Sequence, residues 1–422
     1  MNTKIIEVDK FIQQELSEDG TPSGVEFEEV ALFLDPFDPD SISIEPRVVP
    51  MDTLLRRLRQ KSIRLAPTFQ RKFVWDNTRM SQLIESLMLK IPLPMFYVAA
   101  NEDGSWDVVD GLQRLTTIRN FLLGAELVDN DKKINPDWKP FALTNLEFWG
   151  ERFNGMTFSE IEGNASDAKI VNNIMETEMR FTIINPGTPE EVKRNIFKRI
   201  NTGGMPLTPQ EIRHALYQGN ASKLLMDLAE LQIFREAIDF SINDSRMAAR
   251  ELILRYLAFS IRDVQVYSGD MDQFLSDTMR LINCVDDLSV EKLNKIFHLK
   301  TIPQIKTFSI ESITKRFEVT MKRCRKFFGG YAFRKAVTGM RRTPVNKALF
   351  EAWANIFAQI SESDFKLLYE KRKIFNENYK HLFNNADFER AISRDASSIS
   401  GARYRYVSLN NLVRETLGKK ND

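Results

Sequence analysis

The chain is poor in the residues that metal and thiol chemistry need. It has 422 residues but only two cysteines, Cys284 and Cys324, and three histidines, His214, His298 and His381. The cysteines form no Cys-x-x-Cys, so a disulfide framework or zinc ribbon is excluded and reduced thiols are expected. No apolar run approaches the roughly 20 residues that span a bilayer, and no basic-then-apolar leader opens the chain. A soluble, cytoplasmic protein with no membrane partner is the expectation. Net charge is +1, from 59 Lys and Arg against 58 Asp and Glu, so no global electrostatic pull toward nucleic acid exists. Neither Gly-x-x-x-x-Gly-Lys-Ser/Thr nor Gly-x-Gly-x-x-Gly is present, which excludes a P-loop and a dinucleotide fingerprint. Low-complexity tracts and internal repeats are also missing.

What is there begins at Val109-Asp110-Gly111-Leu112-Gln113-Arg114-Leu115. Trp106 and Val108 read as a strand leaving the Asp103-Gly104 turn, and Leu115, Ile118, Leu122 and Leu123 follow at helical spacing. An acid, a glycine, an amide and an arginine thus meet at a strand-to-helix junction. Backbone N–H groups and the positive end of a helix dipole suit such a place to an anion. Gly111 allows close backbone approach. Arg114 offers a planar fork for phosphate oxygens. Asp110 suits a hydrated metal ion or an oriented water. The alternative is that Asp110 caps the helix and Arg114 pairs with it or with solvent.

Two further polar clusters weigh on that choice. Upstream, Gln70-Arg71-Lys72-Phe73-Val74-Trp75 sets an amide and two cations among aromatics. Downstream, Asn201-Thr202-Gly203-Gly204 ends one helix, and Thr208, Pro209 and Glu211 fit the N-cap, first and third positions of the next. Gly203 and Gly204 suit a C-cap, or an anion nest beside Asn201.

In this order the three clusters resemble the GmrSD-type restriction endonuclease N-terminal domain family, related to the ParB/sulfiredoxin fold. Its signature is Asp-Gly-Gln-Gln-Arg, with Gln-Arg-x-x-x-Trp upstream and Asn-x-Gly-Gly-x-x-Leu-x-x-x-Glu-x-Arg downstream. The resemblance covers about residues 50–220, and Leu112 stands where the signature has its first glutamine. It implies a site that binds and hydrolyses a nucleoside triphosphate. Asp110, Gln113 and Arg114 would be catalytic. Gln70, Arg71, Gly111, Asn201, Gly203 and Gly204 would bind nucleotide, and Asp110 would hold Mg²⁺. It also implies an anti-phage setting, with DNA and a separate nuclease or other effector as partners; an oligomer is left open. Many members carry a C-terminal HNH nuclease with a His-x-x-Pro motif. No histidine here has proline at the third position, so cleavage by this chain itself is not expected. The rival reading is a non-catalytic nucleic-acid-binding adaptor or switch with a ParB-like nucleotide pocket.

Charge is unevenly spread. Residues 1–46 hold Glu15, Glu18, Asp19, Glu26, Glu28, Glu29, Asp35, Asp38, Asp40 and Glu45, and are expected to form an acidic, extended or partly disordered arm. Residues 315–347 invert this: Arg323, Arg325, Lys326, Arg334, Lys335, Arg341 and Arg342 are interleaved with Phe317, Phe327, Phe328, Tyr331 and Phe333. Cations with aromatics suit a nucleic-acid surface with stacking platforms, or equally a helix with a Phe core and a solvated basic face. The fold expected is α+β. A mixed ParB/sulfiredoxin-like nucleotide-binding domain would span 47–220, with an irregular insert at about 126–175. A mainly helical domain would span 221–422.

Overall fold

The structure, a computed structural model, describes residues 12–28, 43–65, 75–124, 126, 141–189, 192–196, 207–297, 304–306 and 308–419. It divides into two compact units, residues 35–207 and residues 1–34 with 208–422.

The first unit is α+β. Its sheet has five strands in the order β3 (Ile44–Pro50), β7 (Glu178–Ile184), β5 (Phe96–Ala100), β6 (Trp106–Asp110) and β4 (Ile63–Arg64). The β3/β7 and β5/β6 pairs are antiparallel; β5/β7 and β4/β6 are parallel. One face carries the core, where Phe96 stacks on Phe181 at 5.1 Å and Trp106 leans on Phe181 at 5.6 Å. Helix α1 (Met51–Arg59) buries Met51, Leu54, Leu55 and Leu58, the i, i+3, i+4, i+7 stripe that an amphipathic helix needs. Helix α2 (Asn77–Met88) starts where the Asp76 side chain accepts the Arg79 N–H at 2.8 Å. Buried Glu85 in α2 then accepts the N–H groups of Glu147, Phe148 and Trp149 at 3.0, 2.7 and 2.9 Å. Part of the insert read as irregular is helical, at Gly150–Phe153, Phe158–Glu162 and Ala168–Met175.

The second unit is helical. Its centre is Ala248–Ile261, a helix buried on nearly every side that packs on Lys347–Gln359. Both helices bury charge. Arg255, fully buried, meets Glu28 at 2.6 Å, Glu251 at 3.3 Å and Glu351 at 3.5 Å. Lys347 meets Glu15 at 2.5 Å and Glu251 at 2.7 Å, and Arg405 pairs with Glu351. Paired in this way, buried charges avoid most of the cost that an isolated one carries.

The described part of the acidic arm is not an extended tail. Gln14–Leu16 (β1) and Pro22–Glu26 (β2) form an antiparallel hairpin built into the helical unit. Val25 is fully buried, the Glu26 N–H donates to the Val345 carbonyl at 2.9 Å, and the Val345 N–H donates to that of Gly24 at 2.9 Å. Gly24 has φ +87°, and a Cβ there would lie 1.9 Å from the Ser241 carbonyl oxygen. Glu15, Glu26 and Glu28 face Lys347, Lys335 and Arg255. Glu15, Glu26 and Glu28 are therefore counter-ions of the helical unit, and the first boundary lies at 34/35. The second boundary moves to 207/208, because Pro209–Leu216 is tied to the helical unit. Its Arg213 meets Asp272 at 2.5 Å and Glu251 at 3.4 Å, and its Glu211 meets Arg246 at 2.9 Å.

Candidate functional site

Strand β6 delivers Asp110 to the sheet's end, and helix α3 (Leu112–Leu122) starts two residues later. Gly111 is the residue between, at φ +94°. A Cβ on Gly111 would lie 2.3 Å from Cδ1 of Phe96 and 3.1 Å from Nη2 of Arg114. Both the left-handed backbone and the ring demand glycine. No side chain caps α3 at Gly111, and the first intrahelical bond there is Leu115 N–H to the Gly111 carbonyl at 2.9 Å. The amides of the first turn so lack a side-chain acceptor at the cap position, where the helix dipole is positive.

Arg114 is held from four sides. Its Nη2 donates to Asp110 Oδ2 at 2.9 Å and to the Met95 carbonyl at 3.2 Å, its Nη1 donates to the Pro94 carbonyl, and its guanidinium lies 4.4 Å over the Phe96 ring. Burial pulls its pKa down, and Asp110 opposes the pull. The side chain of Asp110 remains 37% exposed against 12% for that of Arg114, so the carboxylate is the group open to a ligand. Of the structural alternative read from the sequence, the Asp110–Arg114 pair is formed, but the cap is Gly111 and not Asp110. The amide of Gln113 is on the first turn, and its backbone carbonyl accepts from the Thr117 hydroxyl at 2.8 Å.

Asp110 also ends a row across four strands. It pairs in register with Tyr97, Tyr97 with Thr182, and Thr182 with Pro46. Strand alternation puts Tyr97 and Thr182 on the face opposite Phe96 and Phe181. Thr182 donates to the sulfur of Met95 at 3.6 Å, and Met95 is 46% exposed. The sequence reading missed this half-open face because its members come from four distant segments. Gln70, Arg71, Asn201, Gly203 and Gly204 lie outside the described residues.

Past Gly203 and Gly204 in sequence, the capping box read from the sequence is formed. Thr208 Oγ1 accepts from the Glu211 N–H at 3.1 Å, the Glu211 carboxylate accepts from the Thr208 N–H at 2.6 Å, and Pro209 is the first helical residue. His214 on that helix is 1% exposed, and burial with nearby Arg250 lowers its pKa to about 3.

The basic segment is largely engaged inside the helical unit. Arg323 donates to the carbonyls of Phe357 and Ile360 and meets Glu362 at 2.9 Å, closing a helix C-terminus. Arg325 and Arg342 share Asp239 at 2.9 and 2.8 Å. Buried Arg334 donates to the Gly330 and Ile238 carbonyls and to Ser241, and Lys335 meets Glu26 at 2.6 Å and Ser393 at 2.5 Å. Lys326 lies 5.0 Å over the Tyr369 ring; Arg341 is exposed. Phe317, Phe327, Phe328 and Phe333 are buried core, so the expected stacking platforms are not on the surface. The reason is helical period: over Ile310–Phe328, spacings of three and four send Phe317, Met321, Cys324 and Phe328 inward and the cations outward.

Among the described residues, no group of three or more His, Cys, Asp or Glu could hold a metal ion, and no helix is long and apolar enough to cross a membrane. No curated protein and no solved structure matches the chain. Residues 53–218 match the family model described as GmrSD restriction endonuclease, N-terminal domain. That span contains the Asp110–Arg114 junction, the five-stranded sheet from β4 onward and the Thr208 capping box. Over residues 53–218 the chain is thus similar to the N-terminal domain of GmrSD restriction endonucleases.

Proposed function

We propose that the β6–α3 junction binds the phosphates of a nucleoside triphosphate and that the chain hydrolyses it, coupling turnover to a separate effector that acts on DNA. The observation that carries this reading is the N-terminus of an 11-residue helix without a side-chain cap, beside a carboxylate whose side chain is 37% exposed. A triphosphate brings about four negative charges, which need N–H donors and cations. The first-turn amides of Leu112 and Arg114 supply donors. Asp110 is the group to orient the attacking water. One carboxylate also fits Mg²⁺, which takes most of its oxygens from phosphates and water and would neutralise phosphate charge when bound. We assign Arg114 the role of a positioning residue, since its donors are spent on Asp110 and on the Pro94 and Met95 carbonyls.

That same commitment of Arg114 favours a second reading, a nucleotide switch without turnover, since no unspent arginine stands at the described junction. Phosphate release from each of the four triphosphates, by wild type and Asp110→Ala with and without DNA, separates the two. Release lost in the variant supports the hydrolase. Binding by calorimetry without release supports the switch. Neither binding nor release removes both.

A further inference from the structure

The N-terminal end of β6, the opposite end from Asp110, carries a second concentration of positive charge. Trp106 opens the strand and is 3% exposed. The guanidinium of Arg57, from α1, lies 4.0 Å from the indole centroid, and that of Arg47, from β3, lies 5.8 Å from it. Arg56 is exposed next to Arg57 on the same helix. Among the described residues no carboxylate pairs with Arg56 or Arg57; Arg47 has Glu45 at 2.6 Å. Helix-dipole preference explains cations in the last turn of α1. It does not explain a second cation, Arg47, brought in from another element onto the ring that Arg57 covers. Like charges so placed repel one another: burial, then Arg47, then Arg56 pull the pKa of Arg57 down. An indole face offsets part of that repulsion. An anion between the guanidinium groups would offset more.

We infer that Arg47 and Arg57, seated on Trp106, form with the exposed Arg56 beside Arg57 a contact surface for the phosphodiester backbone of nucleic acid. The form of the surface selects a polymer. Arg47 and Arg56 are exposed and Arg57 half-buried, whereas a small anion is held in a concave site that buries most of it. A backbone is held by several shallow charge contacts that add up and release counter-ions. Arginine suits this, as a planar fork that matches phosphate oxygens and stacks on an aromatic face. The surface also lies where composition did not point, because Arg323, Arg325, Lys326, Arg334, Lys335 and Arg342 have acids, carbonyls and rings of their own. The inference rests on the reading that the chain acts at DNA, but not on nucleotide turnover.

The test is fluorescence anisotropy of a labelled 30-base-pair duplex with the full chain, titrated at several salt concentrations. Wild type, Arg56→Ala/Arg57→Ala, Arg57→Lys and Arg325→Ala/Arg342→Ala are compared. In the first pair, affinity should fall roughly tenfold or more, and the slope of log affinity against log salt should shrink by about 2, near 0.9 per lost phosphate contact. Arg57→Lys should keep most of the slope, and the Arg325/Arg342 pair should keep all of it. Should the double variant misfold by thermal unfolding, Arg56→Ala alone, on an exposed side chain, should lower the slope by about 1. Unchanged affinity and slope in folded variants would overturn the inference. So would absence of duplex binding by wild type, or full displacement by inorganic phosphate at constant ionic strength, which marks a small-anion site. Nucleotide binding by calorimetry and phosphate release, measured alongside on wild type and Arg56→Ala/Arg57→Ala, report on the nucleotide reading separately from duplex affinity, so failure of that reading and failure of this one are distinguishable.

Discussion

The guanidinium of Arg114 lies 4.4 Å over the ring of Phe96, the same ring that a Cβ on Gly111 would strike. One aromatic side chain therefore sets both the residue allowed at the turn and the position of the arginine that holds Asp110. Gly111→Ala should cost about 2–4 kcal/mol, from a left-handed backbone and an overpacked ring together. Urea denaturation checks it. Adding Phe96→Leu should recover part of the loss relative to Phe96→Leu alone, since only the contact with the ring is relieved. Equal, additive losses would show that the ring is not the obstacle.

Arg114→Ala should release Asp110 and two carbonyl acceptors without deleting a phosphate ligand. Under the proposed reading, phosphate release slows while nucleotide affinity by calorimetry stays close to wild type. Arg114→Lys restores charge but cannot reach three acceptors with a planar fork, so it should rescue poorly. Affinity falling in step with turnover would instead make Arg114 a direct phosphate contact.

Local signals in the chain were legible and distant ones were not. Thr208, Pro209 and Glu211 identify their helix start because a capping box involves only neighbours in sequence. The β6–α3 junction is legible for the same reason. Strand β3 was not, because it is an edge strand holding Pro46 and Pro50 with mostly exposed residues, and so shows no alternation. The partners of Arg114, the carbonyls of Pro94 and Met95, come from 20 and 19 residues away and leave no pattern around Asp110. Composition drew attention to the cations at 315–347 but says nothing about their acceptors. Asp239 binds two of them, Arg325 and Arg342, from a distant upstream segment. The convergence of Arg47 and Arg57 on Trp106 is equally invisible, because three elements contribute one residue each.

Glu85 of α2 should be a costly carboxylate to remove, because it anchors the first unit's insert. It is 4% exposed and accepts three successive N–H groups, from Glu147, Phe148 and Trp149. Glu85→Ala leaves those amides without their acceptor, at a cost of about 2–4 kcal/mol. Glu85→Gln keeps one carbonyl oxygen and should cost less. Thermal unfolding gives the ranking, and limited proteolysis should show new cleavage near 147–149 in Glu85→Ala. Phe148 itself is 73% exposed, so Phe148→Ala should stay within about 0.5 kcal/mol of wild type. A Phe148→Ala loss as large as that of Glu85→Ala would mean the loop is held by its ring, not by its amides.

His214 gives the chain a pH dependence whose sign is fixed by burial. Its folded pKa lies near 3, below the ordinary value of 6.5, because burial and Arg250 disfavour the imidazolium. Between pH 6.5 and about 3 the unfolded chain binds a proton at this position that the folded chain refuses. The contribution is therefore complete above pH 6.5 and is lost progressively as pH falls toward 3, with a ceiling of roughly 5 kcal/mol. Within that window the slope it adds is about 1.4 kcal/mol per pH unit. Urea midpoints at pH 7.5, 6.5, 5.5 and 4.5 for wild type and His214→Gln isolate it, since the other titrating groups are common to both. The stability of wild type should fall more steeply than that of the variant below pH 6.5, and the two should run parallel above it. Parallel curves throughout would mean that the folded protein accommodates a charged His214.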